Sequence, residues 1–384
     1  MDFDFSKDQE MIRKSAREFL EKECPKDRVR ELKTDDKGYD PKVWDKMVEL
    51  GFLGLILPEQ YEGMGGEYLE GVIFMEEIGR NLLPSPYFTT VGLCAQPICQ
   101  FGTDAQKGRF LPKIADGQIW SLAMMEANAG YEASDIELSA VQNDGQYALT
   151  GTKIFVPYAN SAENLLVVAR TGTSGHPEDG ITVFVVDAES PGISIEVIPT
   201  TARDMRCEVN FDNVIVSGDD ILGAPDKGWM VVEHILQYAT VLKCAEMSGG
   251  AQTVLDIANK YAKERIQFDK PIGSFQAIQH KLANMLIWVE GLKYLVYEAA
   301  WQINIGKPSK EIISMAKVKA NEVYQRVCID GIYIHGAIGT TEEMDIGLYH
   351  LKTKAMEFDL GGSEFHRERI VQQLEARKPL FLSV

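Results

Sequence analysis

Hydrophobic positions along the chain change their period twice. Over residues 1–118 they recur mostly at helical spacing. Met11, Ile12 and Ala16 follow Ser6 and Gln9, which are placed as a capping box, and further periodic segments run at about 68–79, 86–101 and 104–114. Between them lies the apolar run Gly51–Pro58, closed by its proline and followed by the glycine-rich turn Glu62–Gly66. Over 119–227 the pattern shortens to β-branched runs at 147–150, 165–168, 181–186 and 193–197, broken by turn clusters such as Gly172–Pro177, and Cys207–Phe211 alternates apolar with polar. Five or more short strands at this spacing predict an all-β unit, a sandwich or a barrel. From 228 to 384 helical periodicity returns at 228–265, 273–305, 309–337 and 341–356, with a last helix after Gly361-Gly362, and predicts an antiparallel four-helix bundle.

The expected fold class is therefore α+β: an N-terminal helical domain (1–118), a central β-domain (119–227) and a C-terminal four-helix bundle (228–384). A nicotinamide-binding α/β enzyme would instead alternate strand and helix, and neither G-x-G-x-x-G nor G-x-x-x-x-G-K-[ST] occurs.

Composition narrows the function. Of 384 residues, 39 are Lys or Arg and 57 are Asp or Glu, giving a net charge of −18. That balance disfavours a protein that coats nucleic acid or an anionic membrane, while leaving room for a local basic pocket. Apolar residues at 45% argue against disorder, and no run approaches the length of a membrane span. The acidic start Met1–Phe5 has neither a secretion nor a transit pattern, and Phe381–Val384 matches no peroxisomal tail. Six cysteines (24, 94, 99, 207, 244 and 328) are scattered without C-x-x-C, and six histidines never fall at ligand spacing. A cytoplasmic, soluble, metal-free protein is the expectation.

Specific segments carry chemistry that periodicity does not. Tyr261–His280 (YAKERIQFDKPIGSFQAIQH), Ile334–Glu342 (IHGAIGTTE), the Gly51–Gly66 region, Gly151-Thr152-Lys153 and Phe211–Val214 lie in order along the chain. In these segments the chain resembles the acyl-CoA dehydrogenase family over essentially its whole length. The resemblance implies bound FAD, usually in a tetramer, with the flavin near a subunit interface. It implies that Arg265 meets the FAD pyrophosphate of a neighbouring subunit, where a planar fork suits phosphate oxygens, and that Phe268 and Gln276 flank the same cofactor. The backbone at His335-Gly336-Ala337 would cradle the adenosine half. The family's T-E-P-G-A-G-S-D loop reads here as Met125 to Asp135, keeping Glu126, Gly130 and Ser134-Asp135 but placing Met125 where a hydroxyl normally touches the flavin. Phe155 stands where a tryptophan often covers the ring.

The family's reaction needs a carboxylate beside Cα of the thioester and hydrogen bonds to the thioester oxygen. The usual position holds Leu360, whose backbone N–H can still serve that oxygen but whose side chain cannot take a proton. The alternative position on the first long C-terminal helix holds Ala239, and no acid stands near Thr89-Thr90. Lys243 and Glu246 lie four and seven residues beyond Ala239, about 40° and about −20° around a helix, so the three share a face. Lys243 is thus a candidate for recognising a polar or carboxylated acyl end, Glu246 for a displaced base, and Asp359 for a base one residue from the usual place. A mutually neutralised Lys243–Glu246 pair is the structural alternative, and His366 and Glu364 are expected to serve helix contacts. The leading expectation is dehydrogenation of an unusual acyl-CoA, such as a cyclic or carboxylated one, by a homotetramer passing electrons to an electron-transfer flavoprotein. Two other readings stay open: a silent, FAD-contributing subunit of a hetero-oligomer, or a flavoenzyme doing reduction, 1,4-elimination or decarboxylation.

Overall fold

The computed structural model describes residues 5–172 and 175–377. The acidic start 1–4, two residues of the 172–177 turn and the C-terminal tail lie outside the described residues. Eleven α-helices occur among the described residues: α1 (Lys7–Glu23), α2 (Lys26–Leu32), α3 (Pro41–Glu49), α4 (Tyr68–Asn81), α5 (Gln96–Phe101), α6 (Asp104–Ala115), α7 (Trp229–Glu264), α8 (Gln276–Asn304), α9 (Lys310–His335), α10 (Ile346–Phe358) and α11 (Ser363–Ala376). The strands are β1 (Trp120–Ala123), β2 (Ser139–Asn143), β3 (Gln146–Pro157), β4 (Asn164–Arg170), β5 (Ile181–Asp187), β6 (Ile193–Val197), β7 (Arg206–Ser217) and β8 (Ile221–Leu222), then a small hairpin, β9 (Ile266–Gln267) and β10 (Lys270–Pro271). The helical, β, helical order is the one the hydrophobic periods predict. No helix among the described residues is long and apolar enough to cross a membrane.

Local signals account for the ends. Ser6 and Gln9 cap α1 reciprocally, as do Thr103 and Gln106 for α6. The periodic stretch at 86–101 is not one α-helix. Residues 88–95 form a π-helix leading into α5, beside Pro97, which lacks the N–H that a regular i→i+4 ladder needs.

By contacts the chain forms two compact units. One gathers 5–29, 67–83 and 240–377, uniting helices from both ends of the sequence. In it α4 and α7 cross at backbone contact. A Cβ built on Gly79 would sit 1.8 Å from the Glu246 carbonyl oxygen, and one on Gly249 would sit 1.9 Å from that of Glu76. Only hydrogen fits at these two sites. Gly249→Ala is therefore expected to prise the helices apart and lower stability by about 1–3 kcal/mol, read as a shifted urea midpoint, whereas Gly291→Ala, with nothing within 4 Å, should not. Buried carboxylates on α4 are matched across the same unit. Glu77 takes two hydrogen bonds from Arg17 of α1, at 2.6 and 3.0 Å.

The other unit comprises 30–66 and 84–239 and holds one eight-stranded sheet, in the order β6-β7-β3-β2-β4-β5-β8 with β1 beside β4. Its core follows strand alternation: Cys207, Val209, Phe211, Val214 and Val216 of β7 point inward against Tyr147, Leu149 and Val156 of β3. The β3–β7 register slips between Lys153 and Val156, and this bulge shapes the candidate site.

Candidate active site

In the sheet-containing unit the bulge brings three sequence-predicted residues together. Phe155 adopts a left-handed conformation (φ 53°) that turns its ring outward, 40% exposed, while the preceding Ile154 N–H donates to the Met125 carbonyl at 2.9 Å. Glu126 is buried, and its carboxylate is fully engaged. It accepts from the N–H groups of Glu137 (3.0 Å) and Leu138 (3.0 Å) and from the ammonium of Lys153 (2.6 Å). Lys153 also donates to the Met124 carbonyl at 2.9 Å. Its side chain has no exposed surface, and burial pushes its pKa down to about 8 despite the partner carboxylate. The pair thus ties the 124–138 loop to the bulged strand, which sets where Met125 and Phe155 stand. Ser134 is exposed, on a turn that Asp135 closes by accepting from the Glu132 N–H at 2.8 Å. Gly130 lies so close to the Asp135 carboxylate that a Cβ would come within 1.9 Å. Thr89 is buried, hydrogen-bonded to Ser121 at 3.2 Å, and Ala239 is fully buried.

In the helical unit Arg265, Phe268 and Gln276 are all exposed. Phe268 and Asp269 form the two-residue turn between β9 and β10 with φ 55° and 65°, the positive values a type I′ turn requires and an aromatic residue rarely adopts. The turn holds Phe268 84% exposed beside Arg265, whose guanidinium has no partner among the described residues. His335 is buried rather than exposed. It stacks on Tyr261 at 4.2 Å, its Nδ1–H donates to the Gly331 carbonyl at 2.8 Å, and burial lowers its pKa. Gly336 and Ala337 are exposed, and Gly336 (φ 70°, ψ −148°) has open space where a Cβ would project. An available guanidinium, a projecting aromatic and an open glycine backbone are the chemistry that a dinucleotide's phosphates and rings take up, so these residues fit FAD.

The same unit brings together all the charged residues predicted for catalysis or substrate binding. Lys243 of α7 donates to Glu246 at 2.6 Å, and its ammonium lies 3.5 Å from the Asp359 carboxylate. All three side chains are nearly buried, with 7%, 13% and 14% exposure. Asp359 begins the turn after α10, and the buried Leu360 follows it in a left-handed conformation (φ 61°). Sequence reasoning did not single out three residues that hold this turn. Lys317 and Asn321 of α9 hydrogen-bond the Glu357 carbonyl, and Ser314 of the same helix face meets His366. Their only signal was polar residues recurring at helical spacing within an otherwise apolar helix face. No group of three or more His, Cys, Asp or Glu among the described residues could hold a metal ion, and all six cysteines are free.

Comparison with known proteins agrees with this architecture along the chain. Family models match at residues 6–118 (acyl-CoA dehydrogenase, N-terminal domain), 121–214 (middle domain) and 226–375 (C-terminal domain). The chain belongs to the acyl-CoA dehydrogenase family. It is accordingly an FAD-dependent oxidoreductase acting on CH–CH groups. It is 33% identical to a probable acyl-CoA dehydrogenase, YngJ, of Bacillus subtilis, over 97% of this chain and 100% of that one. It is also 33% identical to a 3-(aryl)acrylate reductase of Clostridium sporogenes, over 96% and 99%. A chain solved in work on the electron transferring flavoprotein of Acidaminococcus fermentans superposes with a TM-score of 0.92 at 32% identity, covering 98% of this chain and 100% of that one.

Proposed function

We propose that the protein interconverts a saturated acyl-CoA thioester with its α,β-unsaturated partner, on an acyl group bearing a ring or a polar end, and exchanges electrons with an electron-transfer flavoprotein. The observation that carries this reading is the Lys243–Glu246–Asp359 cluster beside Leu360. It supplies one carboxylate, Asp359, a single residue away from the apolar side chain that replaces the family's base, and a second, Glu246, paired to the same lysine. Bound FAD would supply the hydride chemistry at Cβ, in either direction. Asp359 is the group that removes or delivers the proton at Cα, and the Leu360 N–H stabilises charge developing on the thioester oxygen. Lys243 meets the polar end of the acyl group. With Glu246 and Asp359 already flanking its ammonium, a hydroxyl or keto oxygen is better accommodated there than another carboxylate. Likeness to an acrylate reductase and to a chain from electron-transferring-flavoprotein work supports both the partner and catalysis in the reducing direction.

Arg265 carries cofactor phosphate, Phe268, Gln276, Gly336 and Ala337 line the adenosine half, and Met125, Ser134 and Phe155 face the flavin ring. Arg265→Ala is expected to weaken FAD binding about 10–100-fold, the worth of one charge-assisted hydrogen-bonded contact, in a fluorescence titration of the apoprotein. The protein is expected to act as a cytoplasmic homotetramer. A second reading draws on the same cluster: carboxylates held by Lys243 also suit a subunit that contributes FAD-binding surface to an active paralogue. Purifying the chain alone, loading it with FAD and analysing products by mass spectrometry with an electron-transfer flavoprotein present separates the two. Turnover of cyclic, aryl or oxygenated acyl-CoA esters supports catalysis, and inactivity that is relieved only by a second subunit refutes it.

A further inference from the structure

The turn that carries Asp359 and Leu360 is held from outside by a set of hydrogen bonds that packing alone does not require. α10 ends at Phe358 with its last carbonyls lacking intrahelical donors. A wholly buried ammonium takes their place: Lys317 Nζ donates to the carbonyls of Met356 (2.6 Å) and Glu357 (3.1 Å) and to Asn321 Oδ1 (2.8 Å). Those three acceptors use all three of its protons, and a cation at a helix C-terminus is favoured by the helix dipole. Asn321 spans the turn, reaching the Glu357 carbonyl (3.4 Å) on one side and the Ser363 hydroxyl (3.1 Å) on the other.

At the far end the geometry fixes a tautomer. His366 Nε2 lies 3.0 Å from the Leu360 carbonyl, which can only accept, so Nε2 carries the hydrogen. Nδ1 is then left to accept from the Ser314 hydroxyl at 3.3 Å. Burial and the nearby Lys317 push the His366 pKa down to about 3, so the neutral ring persists at physiological pH. Between these anchors the backbone passes through Leu360 at φ 61° and Gly361 at φ 98°. A left-handed conformation is unfavourable for a leucine, and a Cβ on Gly361 would meet the Phe365 ring at 2.3 Å. Ser314, Lys317 and Asn321 fall at i, i+3 and i+7 along α9, on one face.

We propose that His366 and Lys317 are positioning residues of this enzyme, which lock the 357–362 turn in the conformation that presents the Asp359 carboxylate and the Leu360 N–H to the thioester. The inference rests on the acyl-CoA reading above. It adds that catalytic geometry is set by α9 and α11, by residues that touch no substrate.

The test uses the FAD-loaded full chain with crotonyl-CoA and cinnamoyl-CoA, whose ultraviolet bands shift to the red when the thioester carbonyl is polarised. His366→Leu removes the donor to Leu360, His366→Gln keeps an N–H at the place of Nε2, and Ser314→Ala is the variant least able to disturb folding. The expected result is a red shift in the wild type, at least half lost in His366→Leu and restored in His366→Gln. A fall in kcat of about tenfold or more, with KM changed less than twofold, should follow the shift. Ser314→Ala should lie between, and Lys317→Met should behave like His366→Leu. A merely structural role would lower the melting temperature without moving the band. His366→Leu with the full wild-type shift, or Ser314→Ala with it should His366→Leu not fold, overturns the proposal while leaving the acyl-CoA reading standing. A wild type that neither shifts either probe nor exchanges electrons with any CoA ester overturns the acyl-CoA reading itself.

Discussion

Lys153→Met should destabilise the protein by about 3–5 kcal/mol, the cost of stranding one partner of a buried ion pair. The Glu126 carboxylate would remain among Glu137, Leu138 and the sheet with its closest hydrogen bond, 2.6 Å from Lys153, removed. Adding Glu126→Gln to Lys153→Met should recover much of that loss, because a neutral amide can stay hydrogen-bonded to the same backbone without a charge to bury. Urea unfolding of the single and double variants checks both statements. The pH dependence has a definite sign. Burial lowers the Lys153 pKa to about 8 from its ordinary 10.5, so between those values the unfolded chain binds more protons than the native one. Wild-type stability should therefore gain a rising contribution from about pH 8 to 10.5 that Lys153→Met lacks. Because this pair anchors Met125 to the bulge at Phe155, FAD retention should fall together with stability.

Asp359→Asn should slow flavin reduction by about 10²–10⁴-fold, the range a positioned general base contributes, while Glu246→Gln should cost less than about tenfold. The two carboxylates are not equivalent. Glu246 lies 2.6 Å from the Lys243 ammonium and on α7, whereas Asp359 lies 3.5 Å from it and adjoins Leu360 on the turn. Glu246 is the nearer counter-charge to Lys243, and Asp359, next to Leu360, is the carboxylate proposed to exchange a proton. Single-turnover kinetics on each variant, with FAD content verified, distinguishes them. Equal effects would mean that the cluster acts only as a structural unit.

Periodicity made much of the fold legible. The alternation at Cys207–Phe211 is the inward face of β7, the Ser6–Gln9 capping box starts α1, and the long helical segments of the C-terminal third appear as α7 to α11. Two of the strands it missed had no period to show. β1 is buried at all four positions and so does not alternate, and β8 is two residues long. The π-helical turn at 88–95 depends on i→i+5 pairing that hydrophobic spacing does not encode. At the site, Lys243, Glu246 and Asp359 were legible one by one from helix geometry and motif position. Their convergence was not, because it needs α7 and the turn after α10, far apart in sequence, to pack side by side. His366 and Lys317 read as ordinary helix residues until the turn they hold was visible.

The most direct measurement is anaerobic titration of the FAD-loaded protein with a panel of CoA esters (linear, branched, cyclic, aryl and oxygenated), following the blue absorbance of the flavin. Bleaching that is complete near one equivalent of a ring-bearing or oxygenated ester, and absent in Asp359→Asn on the same timescale, is the predicted result. Flavin that stays oxidised with every ester in the panel, or that bleaches equally fast in Asp359→Asn, would contradict it.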